Sequence, residues 1–284
     1  MVLYNNEPMS AHTTFKVGGP VKNFITVDSE EDLREAVKSY PDYYIIGNGS
    51  NLIVSDEGYD GTVIELGRKF SEIKVYADEC ELIAQAGASL ASLAALAKDN
   101  ELTGLEFASG IPGTLGGACI MNAGAYDGEM KNVLTMIRLM DKDGNVTEET
   151  PEECELGYRY SNIPERKLTV IGARIKLAKG NRDDIVAKMK ELNQRRLDKQ
   201  PLEFPSAGST FKRPTGYFAG KLIQDAGLQG HRVGGMEVSK KHAGFVINVG
   251  GGTCADFMRL TDEVIAKVKE EFGVTLEREV KILQ

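Results

Sequence analysis

No tryptophan occurs in the chain, histidine occurs three times and cysteine four times. His12, His231 and His242 lack metal-ligand spacing, so no metal site is expected. Cys80, Cys119, Cys154 and Cys254 are far apart and form no Cys-x-x-Cys pair. They read as reduced, mostly buried thiols of a cytoplasmic protein. Long apolar runs are also missing, and none approaches a membrane span. The first residues, MVLYNNEPMSAHTTF, lack a basic segment followed by an apolar run, which predicts no secretory leader. Basic residues are scattered and the formal net charge is −8. Neither nucleic acid nor a membrane surface is therefore an expected partner. No internal repeat or low-complexity tract is present, and no obligate protein partner is evident.

Glycine is what the chain has in excess, at 31 of 284 residues. The excess falls at 47–49, 104–128 and 208–252. Glycine permits positive φ and close backbone approach. The three stretches alternate with well-patterned elements, so they read as ordered loops rather than linkers.

The spacing predicts a strand over 21–27, then a helix capped by Ser29 with acids in its first turn. Short strands follow at 43–47, 51–55 and 62–66, giving a first lobe over 1–66. A strand at 81–87 leads to a helix capped by Ser89. A hairpin turns at Asp143-Gly144, and a strand covers 168–178, giving a second lobe over 67–179. An amphipathic helix over 183–199 opens a third lobe, 180–284. That lobe holds a short helix ending at Gly227, a strand at 245–249, a helix over 253–272, and a final strand or strand pair in VTLEREVKIL.

Three glycine loops carry the candidate chemistry. GNGSN (47–51) follows a strand, and successive amides in such a turn form a concave anion site. It lacks the lysine of a P-loop, and a plain tight turn is the alternative. GGGTCA (250–255) matches G-x-G-x-x-A between a strand and a helix, with Glu277 at the distance of a ribose-binding acid. That rival dinucleotide reading needs several parallel strands, whereas the strands upstream are spaced as meanders and hairpins. GIPGTLGGACIMNAGAYDGE (110–129) suits neither helix nor strand. Its bare backbone invites a flat ligand, bordered by Ile111 and Met121 with Asn122 as a hydrogen-bonding group, or else a packed chain crossing. A pyrophosphate loop and a flat-ring loop together suit FAD.

At this point the motifs HTTFKVGG (12–19), GNGSNLIV (47–54), GIPGTLGGACIMNAGAYDGE (110–129), GYRYS (157–161), PSAGSTFKRP (205–214), AGKLIQDAGLQG (219–230), HAGFVINVGGGTCADF (242–257) and LEREVKIL (276–283) resemble, in order, those of the UDP-N-acetylenolpyruvoylglucosamine reductase (MurB) family. The resemblance spans nearly the whole chain. It implies an α+β, vanillyl-alcohol-oxidase/PCMH-type FAD-binding fold of two lobes plus a third α+β substrate-binding lobe. It implies non-covalent FAD and NADPH as co-substrate, with reduction of UDP-N-acetylglucosamine enolpyruvate to UDP-N-acetylmuramate for peptidoglycan synthesis. By the same resemblance FAD lies on Gly47, Asn48, Gly49, Ser50, Asn51 and Leu52, and on Gly110, Ile111, Gly113, Thr114, Gly116, Gly117, Asn122, Gly124 and Ile171. The catalytic residues implied are Arg159 for the developing enolate charge, Ser209 as proton donor, and Glu279 as a further acid. Glu277 and Glu279 would share a face of a strand, so the family motif alone chooses Glu279. GGGTCA then belongs to the substrate lobe. GARIKLAKGNRDDI passes from strand to helix with a short loop, as in the shorter type of the family. Lys199, Arg213 and Lys221 are candidates for the substrate diphosphate. Lys212 and His242 are candidates for supporting Ser209.

Two other functions remain open from residues alone. One is a different flavoenzyme of the same fold, and the other a non-enzymatic nucleotide binder built on GGGTCA. Fold does not decide between them.

Overall fold

The computed structural model describes residues 1–67 and 69–284, and these form two compact units. The first consists of Met1–Tyr4, Phe24–Gly47 and Thr62–Arg196. The second consists of Asn5–Asn23, Asn48–Gly61 and Leu197–Gln284. The sequence suggests three lobes by role, whereas by compactness the chain falls into two.

The first unit is built on an all-antiparallel sheet of five strands. Its order is Val146–Glu149, Leu134–Met140, Thr169–Lys176, Glu81–Gln85 and Ile73–Tyr76. The expected hairpin forms around Gly144, whose φ of +78° is one a glycine adopts without strain. Helix α1 (Glu30–Ser39) starts where the Ser29 hydroxyl accepts the Asp32 N–H, and its first three residues are acidic. Helix α2 (Leu90–Asp99) starts in the same way at Ser89. Its Leu90, Leu93, Ala94 and Ala97 face one core with Leu82, Ala84, Ile171 and Ala173 of the sheet. Beside it, Tyr43–Ile46 pairs in parallel with residues 62–65.

Contrary to the sequence reading, the glycine stretch contains a helix, α3 (Leu115–Ile120). Burial overrides propensity there: Leu115, Ala118 and Cys119 all enter the core of the first unit. Cys119, Cys154 and Cys254 are buried free thiols. Burial pushes Cys154 up to about 12 and Cys254 to about 11, so both stay protonated and inert.

Helix α4 (Arg182–Lys199) carries the chain from the first unit into the second. The second unit holds an antiparallel sheet of Arg232–Val233, Met236–Val238 and Val246–Asn248. With it go a short helix, α5 (Ala219–Asp225), and a long one, α6 (Cys254–Phe272). The core here centres on Phe15, Ile53, Phe257, Leu260 and Val264, and the Phe15 and Phe257 rings meet edge to face at 5.6 Å.

This arrangement overturns the dinucleotide reading of GGGTCA. The strand before α6 has an antiparallel neighbour. The strand after it, Lys281–Leu283, pairs in parallel with Leu52–Val54 instead. No βαβ unit forms around the loop. The helix start is also filled: the Asp56 carboxylate accepts the N–H groups of Cys254 at 2.7 Å and Ala255 at 2.8 Å, while the Thr253 hydroxyl accepts that of Asp256. A protein carboxylate thus takes the place a phosphate would take. Glu277, the supposed ribose acid, is ion-paired with Lys212. Asp56→Ala should cost about 1–2 kcal/mol, as for a lost helix cap, measured by urea unfolding. An unchanged midpoint would mean the cap is dispensable.

Candidate active site

The loop after Tyr43–Ile46 is where the chain crosses from one unit to the other, between Gly47 and Asn48. In the first unit, Gly47 lies against the Thr114 side chain, too close for any Cβ. Gly47 therefore packs directly on the glycine stretch. In the second unit, Gly49 has φ +57° and a Cβ there would enter the His12 carbonyl. The Gly49 carbonyl accepts the Thr14 N–H at 3.2 Å. Among the described residues, no hydrogen bond uses the amide N–H of Asn48, Gly49 or Ser50. Successive unused donors in a turn held by HTTF suit a diphosphate.

Gly49 thus serves the turn itself, and what a side chain would strike is His12 rather than an incoming ligand. Gly49→Val should cost about 1–3 kcal/mol in backbone strain and strip the cofactor. The 450 nm absorbance per polypeptide and a thermal melt report both effects, and a fully yellow Gly49→Val protein would contradict the assignment.

The glycine stretch likewise holds mostly the protein. A Cβ at Gly110 would strike Asn193 and approach Arg196 of α4. One at Gly116 would meet Ala86, one at Gly124 the Gly128 carbonyl and Glu129, and one at Gly128 the Phe107 ring. Gly117 is exposed and stands clear. Asn122, expected to hydrogen-bond a flat ligand, is 0% exposed. Its amide donates to Glu129 at 2.8 Å and the Gly157 carbonyl at 3.0 Å, and its oxygen accepts the Lys131 N–H at 2.8 Å. Asn122 is therefore a bolt between the glycine stretch and GYRYS, not a ligand donor. Ile171 is also fully inside the core, with its carbonyl taken by the Ala86 N–H.

GYRYS forms a tight turn in which Gly157 and Tyr160 exchange backbone hydrogen bonds. Arg159 sits in it at φ +53°. A bulky residue rarely adopts that conformation, and its persistence costs of order 1–3 kcal/mol. Nη2 of Arg159 donates to the Gly124 carbonyl at 3.0 Å, and the guanidinium lies 5.2 Å from the Tyr158 ring centre. Asn122, Tyr126, Asp127 and Glu155 also have positive φ, so strain gathers around this turn. A sequence reading has no access to it.

In the second unit, Thr210 is the keystone beside Ser209. Its N–H donates to the Gly244 carbonyl at 2.9 Å, and its carbonyl accepts the Glu279 N–H at 2.8 Å. Its buried hydroxyl accepts the Val246 N–H. Ser209 and Glu279 are thereby drawn onto adjoining backbone, with Phe211 bridged to Arg278. The final strand covers only Lys281–Leu283, so Glu277 and Glu279 precede it rather than sharing a strand face. The motif's distinction between them has a physical counterpart: Glu277 is bound to Lys212, while Glu279 is half-buried. Ser209 is exposed and its hydroxyl has no protein partner among the described residues. His242 turns Nδ1 to the Gly244 N–H, which leaves the proton on Nε2. Burial lowers its pKa and the Lys199 ammonium adds to that, so it is neutral. Lys199 is exposed, Arg213 stacks 3.9 Å over the Phe218 ring, and Lys221 is paired with Asp225.

These features agree with what the chain is similar to. Residues 200–283 match the model of the UDP-N-acetylenolpyruvoylglucosamine reductase C-terminal domain, and 21–150 that of an FAD binding domain. The UDP-N-acetylenolpyruvoylglucosamine reductase of Caldanaerobacter subterraneus subsp. tengcongensis is 49% identical, over 99% of this chain and 93% of that one. The Clostridioides difficile reductase is 48% identical, over 98% and 92%. The chain belongs to the UDP-N-acetylenolpyruvoylglucosamine reductase family. The crystal structure of the Thermus caldophilus reductase (MurB) superposes with a TM-score of 0.86 at 35% identity, covering 100% of this chain and 98% of that one. The fold is thus the α+β, vanillyl-alcohol-oxidase/PCMH-type FAD-binding fold expected, and the chain is an FAD-dependent oxidoreductase. Among the described residues no helix is long and apolar enough to cross a membrane. No cluster of His, Cys, Asp or Glu suited to a metal ion occurs among them either.

Proposed function

We propose that this chain reduces UDP-N-acetylglucosamine enolpyruvate to UDP-N-acetylmuramate in the cytoplasm, with NADPH as reductant and non-covalent FAD as carrier. When bound, FAD supplies a carrier of hydride between the two substrates. The unused amides of Asn48, Gly49 and Ser50 support the pyrophosphate there, and Gly117 with the backbone of 110–114 supports the ring end. Residues 1–66 and 67–179 then serve FAD, and 180–284 serve the UDP-sugar. Lys199, Arg213 and Lys221 are assigned to its diphosphate; Lys221 would exchange Asp225 for phosphate.

The observation that carries the reading is Arg159, a bulky cation held at φ +53° and tethered to Gly124. Hydride addition to the terminal carbon of the enolpyruvyl ether leaves charge on the neighbouring carbon and its carboxylate. A guanidinium fixed in advance stabilises that charge without reorganising. Glu279 acts as the further acid. Ser209 gives the proton that completes the product.

NADPH consumption at 340 nm, with and without the enolpyruvyl UDP-sugar, tests the reading. Sustained turnover only with the UDP-sugar, in a yellow protein that releases all its flavin on acid denaturation, is the expected result. A colourless protein, or one indifferent to the UDP-sugar, would end it.

A further inference from the structure

The large apolar side chains that the second unit leaves exposed are unevenly placed. Among the described residues they are Leu197, Leu202, Phe204, Tyr217, Phe218 and Phe272, and all but Phe272 lie on the chain that runs into and out of the Ser209 loop. Phe218 is the most exposed of them, at 61%. It also breaks two local rules. It occupies the N-cap of α5, where Ser, Thr, Asp or Asn would hold the helix start, and it supplies no capping hydrogen bond. It gains no burial in exchange. A position that forgoes both cap and burial marks a functional constraint.

The ring is held in place all the same. The Phe218 carbonyl accepts the Leu222 N–H at 3.1 Å, and the Pro214 carbonyl accepts the Tyr217 N–H at 3.0 Å, which turns the chain back between Arg213 and Phe218. The Arg213 guanidinium then covers one face of the ring, 3.9 Å from its centre. The exposed remainder is one half of a stack. The chain from Ser209 to Arg213 runs extended against 277–279: the Glu279 N–H donates to Thr210 and the Lys212 N–H to Glu277, around the bridge of Phe211 to Arg278. Four extended residues span at most about 14 Å. That is on the scale of the reach from an enolpyruvyl group, through sugar and diphosphate, to a base.

We propose that Phe218 is the stacking platform for the uracil ring of the UDP-sugar. The inference rests on the reading above, which gives the diphosphate to Arg213 and the reacting carbon to Ser209. Stacking uses the face of a guanidinium and phosphate binding its edge, so Arg213 serves both. The base is joined to the diphosphate through one ribose, and Phe218 is the aromatic in contact with the residue that binds the phosphates.

The test uses Phe218→Ser in purified holoenzyme. Serine restores the cap, so the urea midpoint should hold or rise. KM for the UDP-sugar should rise about tenfold to a hundredfold with little change in kcat, the cost of one lost base stack. Phe218→Tyr should keep the parent KM. The parent protein gives an independent measure, with UDP and its 5,6-dihydro form as competitive inhibitors. The dihydro base is puckered and stacks poorly, so it should bind the parent about tenfold to a hundredfold more weakly than UDP, and the serine variant should bind the two alike. Equal inhibition of the parent by both overturns the proposal. So does a serine variant with the parent KM, or a rise in KM confined to NADPH, which would give the ring to that nucleotide. A serine variant that loses kcat and stability together also overturns it, making the ring a prop for its turn. A parent that neither turns over the UDP-sugar nor binds UDP removes the reductase reading itself, an outcome distinct from these.

Discussion

Arg159→Ala should bleach with NADPH at close to the parent rate and regain its colour with the UDP-sugar about 10²–10³ times more slowly, the loss typical of one oxyanion donor. The asymmetry follows from where charge develops. Reduction by NADPH creates no enolate, so Arg159 has nothing to stabilise in that step. Reduction of the enolpyruvyl ether does create one. The backbone supplies a control rarely available for a catalytic arginine. Because Arg159 sits at φ +53°, Arg159→Gly removes the side chain and the strain together, whereas Arg159→Ala removes only the side chain. The Gly variant should be as impaired in reoxidation and at least as stable as the parent in urea unfolding. Arg159→Lys keeps the charge but not the planar fork, and should fall between. Rapid-mixing absorbance at 450 nm separates the two half-reactions. Equal slowing of both would mean that the tether to Gly124 is all that matters.

Most helices and strands were legible because their signals are local. Ser29 and Ser89 each precede an apolar-periodic segment and cap it as expected, and Asp143-Gly144 turns its hairpin. The glycine loops were not legible in the same way, because one residue type serves opposite purposes. Gly110, Gly116 and Gly128 are bare to let α4, Ala86 and Phe107 come close, while Gly117 stands open. A sequence shows the missing side chain and not what fills its place. The same blindness applies to Asn122, whose chemistry suits a ligand but whose partners are Glu129, Gly157 and Lys131. It applies again to GGGTCA, where the fingerprint is complete and the carboxylate of Asp56, nearly two hundred residues away in sequence, occupies the anion position. Arg159 and Ser209 are candidates through family motifs alone, while the strain of the one and the exposure of the other come from the fold.

Ser209→Ala should leave stability within about 0.5 kcal/mol of the parent, and lower turnover by about 10²–10⁴, the range of a lost general acid. The first expectation rests on exposure and on a hydroxyl with no protein partner among the described residues. The backbone on either side is fixed without it. Thr210 is clamped to Gly244 and Glu279, and Gly208 takes φ +78° in open space. The second expectation follows from the proton that must reach the carbon bearing the ether oxygen. Lys212 is engaged with Glu277, and Nδ1 of His242 with Gly244, so neither is committed to Ser209. Flavin bleaching by NADPH should be unchanged in the variant, since no carbon is protonated in that step. Ser209→Cys should retain more activity than Ser209→Ala, because a thiol still donates a proton. In D₂O the parent should place solvent deuterium at the ether carbon and flavin-derived hydrogen at the terminal carbon. A Ser209→Ala protein that forms product at the parent rate, with the same isotope pattern, would make Ser209 a turn residue and leave Glu279 as the acid to test.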